Sequence, residues 1–245
     1  MVRAAVLDIE GTTSTIASVR DQLFPYARER LAARLHDGSD DVADVITLTR
    51  DLVGRPDAGV DEIVAVLLEW SDRDMKATPL KTLQGLIWAD GFAGGQLRGH
   101  VYPDVPVALS RWRKRGLRLA VYSSGSVAAQ RDWFAHTDHG DLSGYFAGFF
   151  DTRNPGPKTD PASYLAIGRA LELPNSDVLF LSDARHELDA ARTAGLPTVG
   201  VRRPADGSPD TGDHPCVSDF NAVPLLDPPT NGQFILARAP RMEFT

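Results

Sequence analysis

The chain has 245 residues, 42% of them apolar and 24% charged, which excludes a disordered segment, a collagen-like repeat and a coiled-coil rod. Its formal charge of −7, from 26 basic and 33 acidic residues, offers no basic surface to nucleic acid or to an anionic membrane. A single cysteine, Cys216, leaves no internal disulfide, and no apolar run approaches the roughly 20 residues of a membrane span, so a soluble cytoplasmic protein is expected.

Residues 3–8 form a short apolar run closed by Asp8, Glu10 and Gly11, the pattern of a buried parallel strand. No strand pattern follows between residues 18 and 96. Four helical stripes stand there instead: Leu23, Tyr26, Ala27 and Leu31; Val42, Val45, Ile46, Leu52 and Val53; Ile63, Val66, Leu67 and Trp70; Leu80, Leu83 and Ile87. Breaks fall at Asp37-Gly38-Ser39 and Gly54-Arg55-Pro56. Val105, Leu109 and Trp112 then share a face after Pro103-Asp104, which predicts a capped helix start. Apolar runs at 117–122, 178–181 and 198–201 predict further strands, and 146–150, closed by Asp151, is a weaker candidate. Helices are expected after Pro161, with Tyr164, Ile167 and Leu171 on one face, and over 187–194 with a stop at Gly195. Alternation of this kind predicts an α/β fold with a Rossmann-like parallel sheet. The expected organisation is a core of residues 1–16 and 98–227, a helical insert at 17–97, and an extended tail at 228–245.

Ligands of open parallel sheets bind outside the carboxyl ends of the strands. The polar residues predicted there are Asp8 and Glu10, Ser123 and Ser124, and Asp183 with Glu187; Lys158 follows the weaker strand. Carboxylates crowded at one rim repel one another unless a cation lies between them, and an all-oxygen donor set suits Mg²⁺. A lysine and hydroxyls beside them suit phosphate oxygens, and the loop Glu10-Gly11-Thr12-Thr13 is expected to turn backbone N–H groups toward an anion. Together they describe phosphoryl transfer to an aspartate, with a second carboxyl group as acid and base. Each residue also has a blander reading. Ser123 and Ser124 serve as well to cap the helix beginning near Val127, Lys158 alone reads as a solvated lysine, and Glu187 suits a helix N-terminus. His100 and His186 read as structural or surface groups, and the tryptophans fall mostly on core stripes.

The segment Asp8-Ile9-Glu10-Gly11-Thr12-Thr13 resembles the first motif of the haloacid-dehalogenase-like hydrolases, Asp-x-Asp-Gly-Thr. Ser123, Lys158 and Ser182-Asp183-x-x-x-Glu187 resemble their second, third and fourth motifs, in order. Glu10 in place of the usual Asp is similar to the enolase-phosphatases of methionine salvage. So are Leu23-Phe24-Pro25-Tyr26-Ala27, Leu80-Lys81-x-Leu83-Gln84-Gly85-x-Ile87-Trp88 and Val121-Tyr122-Ser123-Ser124-Gly125-Ser126. The resemblance spans about residues 4–222 and departs from the family at Pro155 and Pro157, before Lys158.

That resemblance implies a monomer acting on a small phosphorylated diketone, 2,3-diketo-5-methylthiopentyl 1-phosphate, with Mg²⁺ as cofactor. It implies Asp8 as nucleophile and metal ligand, Glu10 as acid/base and metal ligand through its backbone oxygen, and Asp183 as the third ligand. Ser123, Ser124 and Lys158 would hold substrate, Glu187 would stand behind them, and the helical insert would be a cap. It does not assign the base for enolisation, for which Glu10 is the nearest candidate by motif and cap residues are the alternative. The alternative is another phosphatase or phosphomutase of the same superfamily acting on a different small phosphorylated metabolite.

Overall fold

The computed structural model of the chain describes residues 1–207 and 209–224. The expected tail at 228–245 lies outside the described residues. Six strands form one parallel sheet in the order β3-β2-β1-β4-β5-β6. They are β1 (Ala4–Leu7), β2 (Arg118–Tyr122), β3 (Gly148–Phe150), β4 (Val178–Ser182), β5 (Thr198–Val201) and β6 (Cys216–Val217). The central strand β1 pairs Ala4 with Arg118 of β2 on one side and with Val178 of β4 on the other.

Side chains of a strand alternate between faces. Ala5 and Leu7 of β1 enter one core with Val105, Leu109, Trp112, Trp133 and Phe134. Ala4 and Val6 enter the opposite core with Tyr164, Ile167, Leu188 and Ala191. The sheet is therefore sandwiched. Helices α6 (Asp104–Lys114) and α7 (Val127–Ala135) cover one face, and α8 (Pro161–Ala170) and α9 (Arg185–Thr193) cover the other. A strand apolar at every position, as β1 is, fits only such a doubly covered sheet.

The chain leaves β1 through a short helix α1 (Ile16–Ser18) and a π-turn at Val19–Leu23, then builds four helices. These are α2 (Phe24–His36), α3 (Asp40–Val53), α4 (Val60–Asp72) and α5 (Thr78–Ala93). Ala27, Leu31, Val42, Val45, Ile63, Leu67, Leu83 and Ile87 give them a core of their own. The helical periods thus predict the buried faces, except in α3. There Leu52 is exposed, and Thr49 takes the inward position by donating its hydroxyl to the Val45 carbonyl at 2.7 Å. The break at Gly54 is a left-handed C-cap (φ 66°), whose N–H returns to the Arg50 and Asp51 carbonyls.

Three local expectations are corrected. The weaker strand begins at Gly148, because residues 143–145 form a 3₁₀ turn. The two-residue β6 carries too little pattern to read from sequence. Asp104 does not cap α6 with its side chain; its carboxylate takes both Arg203 Nη1 (3.0 Å) and the Phe220 N–H (2.6 Å).

Candidate active site

Asp8 follows β1 directly, and its backbone N–H donates to Leu181 of the neighbouring strand end at 3.0 Å. The next residues turn sharply. The N–H groups of Thr12, Thr13 and Ser14 all converge on the Ile9 carbonyl at 3.2, 3.0 and 2.9 Å. This corrects the expectation that Thr12 and Thr13 offer their amides to an anion: those donors are spent inside the turn. Gly11 sits there at φ 66°, and a Cβ on it would overlap the Asp183 carboxylate. The threonine side chains fix the two acids instead. Thr13 Oγ1 donates to the Asp8 carbonyl at 3.0 Å, and Thr12 Oγ1 accepts the Asp183 N–H at 3.0 Å.

Lys158 reaches this turn from the loop before α8. It is only 8% exposed, and its Nζ lies 2.5 Å from Asp8 Oδ1 and 2.6 Å from Glu187 Oε2. The same Glu187 oxygen accepts the Ser182 hydroxyl at 2.8 Å. Asp8 Oδ2 accepts no hydrogen bond among the described residues. The lysine backbone is anchored too: the Tyr164 hydroxyl donates to its carbonyl at 2.7 Å, and Ser163 Oγ to the Pro157 carbonyl at 2.8 Å. The Asn154–Pro155 peptide in this loop is cis, and Tyr122 donates its hydroxyl to the Gly156 carbonyl at 2.7 Å.

The electrostatics follow from this crowding. Burial first, and Glu187 second to the opposing pull of Lys158, set the Asp8 carboxyl at about 6. Burial and then the Asp8 charge push Asp183 to about 7 and raise Glu10. Burial opposes the Lys158 ammonium, but Asp8 and Glu187 outweigh it and raise its pKa. Four carboxyl groups thus share one buried ammonium, an imbalance that a divalent cation would relieve. The donor set is all oxygen, so Asp8, Asp183 and the Glu10 backbone fit Mg²⁺.

Ser123 is buried where β2 ends, its N–H on the Phe150 carbonyl at 3.2 Å, whereas Ser124 is exposed. Neither caps α7, contrary to the alternative the sequence left open. Ser126 does so, its Oγ accepting the Ala129 N–H at 3.2 Å. Asp151 and Gln130 hold this region. Asp151 accepts the Val127, Arg153 and Asn154 N–H groups, and the Gln130 amide donates to the Gly125 and Phe150 carbonyls. His100 Nδ1 accepts the Thr15 N–H at 3.3 Å, and the His100 carbonyl accepts the Ser14 hydroxyl at 2.7 Å. Trp88 donates its indole N–H to the Leu23 carbonyl at 2.7 Å.

Sequence reasoning missed Arg203, which donates Nε–H to the Thr12 carbonyl at 2.9 Å while its Nη1 holds Asp104. No spacing signal links positions so far apart. Among the described residues, one group of three His, Cys, Asp or Glu side chains gathers closely enough to suggest a metal, Asp189, Asp213 and His214. Arg192 already pairs with both acids there, at 2.8 and 2.9 Å, and His214 with Asp189 at 3.1 Å.

A nucleophile-ready aspartate, a buried lysine and a second aspartate at the ends of parallel strands define a hydrolase of the aspartate-dependent phosphoryl-transfer class. A family model described as haloacid dehalogenase-like hydrolase matches residues 2–195. The chain is 53% identical over 218 residues to enolase-phosphatase E1 of Frankia alni, covering 88% of this chain and 92% of that one. It is 49% identical over 229 residues to enolase-phosphatase E1 of Pseudomonas syringae pv. syringae, covering 93% and 98%. The crystal structure of the UTR4 protein of Saccharomyces cerevisiae superposes with a TM-score of 0.77 at 33% identity, over 91% of this chain and all of that one. The chain belongs to the haloacid dehalogenase-like hydrolases and, within them, to the enolase-phosphatase E1 family. No helix among the described residues is long and apolar enough to cross a membrane.

Proposed function

We propose that the protein is a cytoplasmic, monomeric, Mg²⁺-dependent enolase-phosphatase. It converts 2,3-diketo-5-methylthiopentyl 1-phosphate to the acireductone 1,2-dihydroxy-3-keto-5-methylthiopentene and phosphate. One observation carries the phosphatase chemistry: Asp8 has one carboxylate oxygen held by Lys158 and the other unengaged at the strand ends. The similarity to enolase-phosphatases E1 narrows the substrate.

In this reading Asp8 Oδ2 attacks phosphorus while Lys158 orients Oδ1 and balances charge on the phosphoryl oxygens. Glu187 and Ser182 keep the Lys158 ammonium in place, acting through it rather than on substrate. Glu10 hands its carboxyl proton to the leaving oxygen and then takes one from the water that opens the aspartyl phosphate. Ser123 and Ser124 bind the phosphate end. Asp8, Asp183 and the Glu10 backbone oxygen would hold Mg²⁺, which supplies neutralisation of the phosphate charge. The helices of residues 17–97 act as a cap that excludes water from the intermediate.

The test measures phosphate release from the diketone phosphate with and without Mg²⁺, beside Asp8→Asn. Release that needs both Mg²⁺ and Asp8 supports the reading. Turnover retained by Asp8→Asn rejects the covalent mechanism, and strong preference for a hexose phosphate rejects the substrate.

A further inference from the structure

The cap sends Lys81 toward the loop after β2. Lys81 lies in the first turns of α5, and its Nζ sits 3.4 Å from the Ser124 carbonyl. It is half-buried, yet no carboxylate among the described residues lies within ion-pair distance of it. Its neighbour Lys76 differs, with both Asp74 oxygens at 2.8 and 3.0 Å. Holding a long ammonium side chain half out of water costs solvation and rotamer freedom. A single long contact to one carbonyl offsets little of that.

The position of Lys81 relative to the phosphate site gives it a use. Lys158 and Ser123 occupy the end where phosphorus must sit, beside Asp8. Ser124 follows Ser123 in the chain, and Lys81 lies against its carbonyl, so a phosphate ester seated on Ser123 would extend the part a few bonds beyond phosphorus toward Lys81. In a 1-phosphorylated 2,3-diketone that part is the C2 carbonyl.

We propose that Lys81 is the proton donor to the C2 oxygen when the substrate enolises, a catalytic residue supplied by the cap. The inference rests on the enolase-phosphatase reading above. In the step, the C1–H bond breaks and its electron pair becomes the C1–C2 π bond. The C2–O π pair moves onto oxygen, which takes a proton from the Lys81 ammonium. The proton leaving C1 goes to the Glu10 carboxylate, which is thereby protonated for the phosphoryl transfer that follows, and solvent reprotonates Lys81, so the substrate undergoes a net isomerisation. Burial, and then the Arg153 charge, lower the pKa of Lys81, which makes its ammonium a stronger acid. The assignment also gives the cap a chemical reason to be closed during enolisation, since Lys81 reaches the site only from α5.

The experiment compares wild type, Lys81→Met and Lys81→Arg in the full chain with Mg²⁺. Enol formation from the diketone phosphate is followed by ultraviolet absorbance, and phosphate release is followed from p-nitrophenyl phosphate, which cannot enolise. The ratio of the two rates is expected to fall about a hundredfold in Lys81→Met and to stay low in Lys81→Arg, whose guanidinium keeps the charge but does not give up its proton. Equal loss in both assays marks Lys81 as merely structural and overturns the assignment, as does enol formation at the wild-type rate. A wild-type protein that hydrolyses p-nitrophenyl phosphate but forms no enol overturns the functional reading beneath it.

Discussion

Replacing Lys158 by Met tests the electrostatic account of the site most directly. Methionine nearly fills the same volume but removes the charge that lies 2.5 Å from Asp8 and 2.6 Å from Glu187. Taking one partner out of a buried ion pair costs about 3–5 kcal/mol, because the remaining charge stays desolvated. Here two carboxylates are left facing each other, so the upper part of that range is expected at pH 8. The variant has one escape, which is to bind a proton. Asp8 already titrates at about 6 with Lys158 present, and losing that lysine moves it further up.

The sign of the pH effect follows from linkage. A carboxyl whose folded pKa lies above its unfolded value stabilises the fold at low pH and loses that contribution as pH rises through the folded pKa. In Lys158→Met this loss begins at the same unfolded pKa and continues to a higher pH than in wild type. The deficit should therefore narrow between pH 8 and pH 5, by about 1.4 kcal/mol for each unit by which Asp8 has risen further. Urea denaturation in chelator, followed by fluorescence of the buried Trp112 and Trp133, measures it at both ends. A deficit below about 1 kcal/mol at pH 8, or one of equal size at pH 5, would refute the idea that Lys158 compensates two buried acids.

Two further outcomes follow from the same cluster. Asp8 at about 6 and Asp183 at about 7 both lie above the ordinary 3.8, so these groups destabilise the chelated protein progressively from about pH 4 to pH 7. Mg²⁺ should raise the thermal midpoint more at pH 8 than at pH 5, and Asp183→Asn should shrink that difference; a Mg²⁺ effect independent of pH speaks against the acids as its binding site. Gly11→Ala should cost at least about 1 kcal/mol from its positive φ and, by displacing Asp183, lower phosphatase activity well beyond the stability loss. Near-normal turnover in that variant would show that Asp183 need not lie against the turn.

The strands of the sheet interior were legible because each is a short apolar run ending in small or polar residues, as at Leu7-Asp8 and Tyr122-Ser123. The start of β3 and all of β6 were not, since two or three residues make no period. At the site, the motif order located Asp8, Lys158 and Asp183, and the four-residue spacing placed Glu187 one helical turn beyond Asp183. What holds them was hidden. Thr12 and Thr13 read as turn residues with free amides, yet their hydroxyls fix the acids. Arg203 clamps the turn from far along the chain. Lys81 stood in a cap segment that resembles the family but drew no role from it, because the sequence does not say which helix face the cap turns toward the strands.

The central place of β1 bears on how the chain is made. Its partners begin at Arg118 and Val178, so more than a hundred residues separate it from either. During synthesis at about 5–20 residues per second, β1 waits roughly 5 to 25 seconds with both edges bare before β2 emerges. The four helices between them draw on contacts near in sequence and can pack during that interval. The bundle therefore has time to form before the sheet, and the segment carrying the nucleophile is synthesised well before the strands that bury it. Nascent chains stalled before Arg118 would present an apolar strand with no partner, the species on which holdase chaperones act.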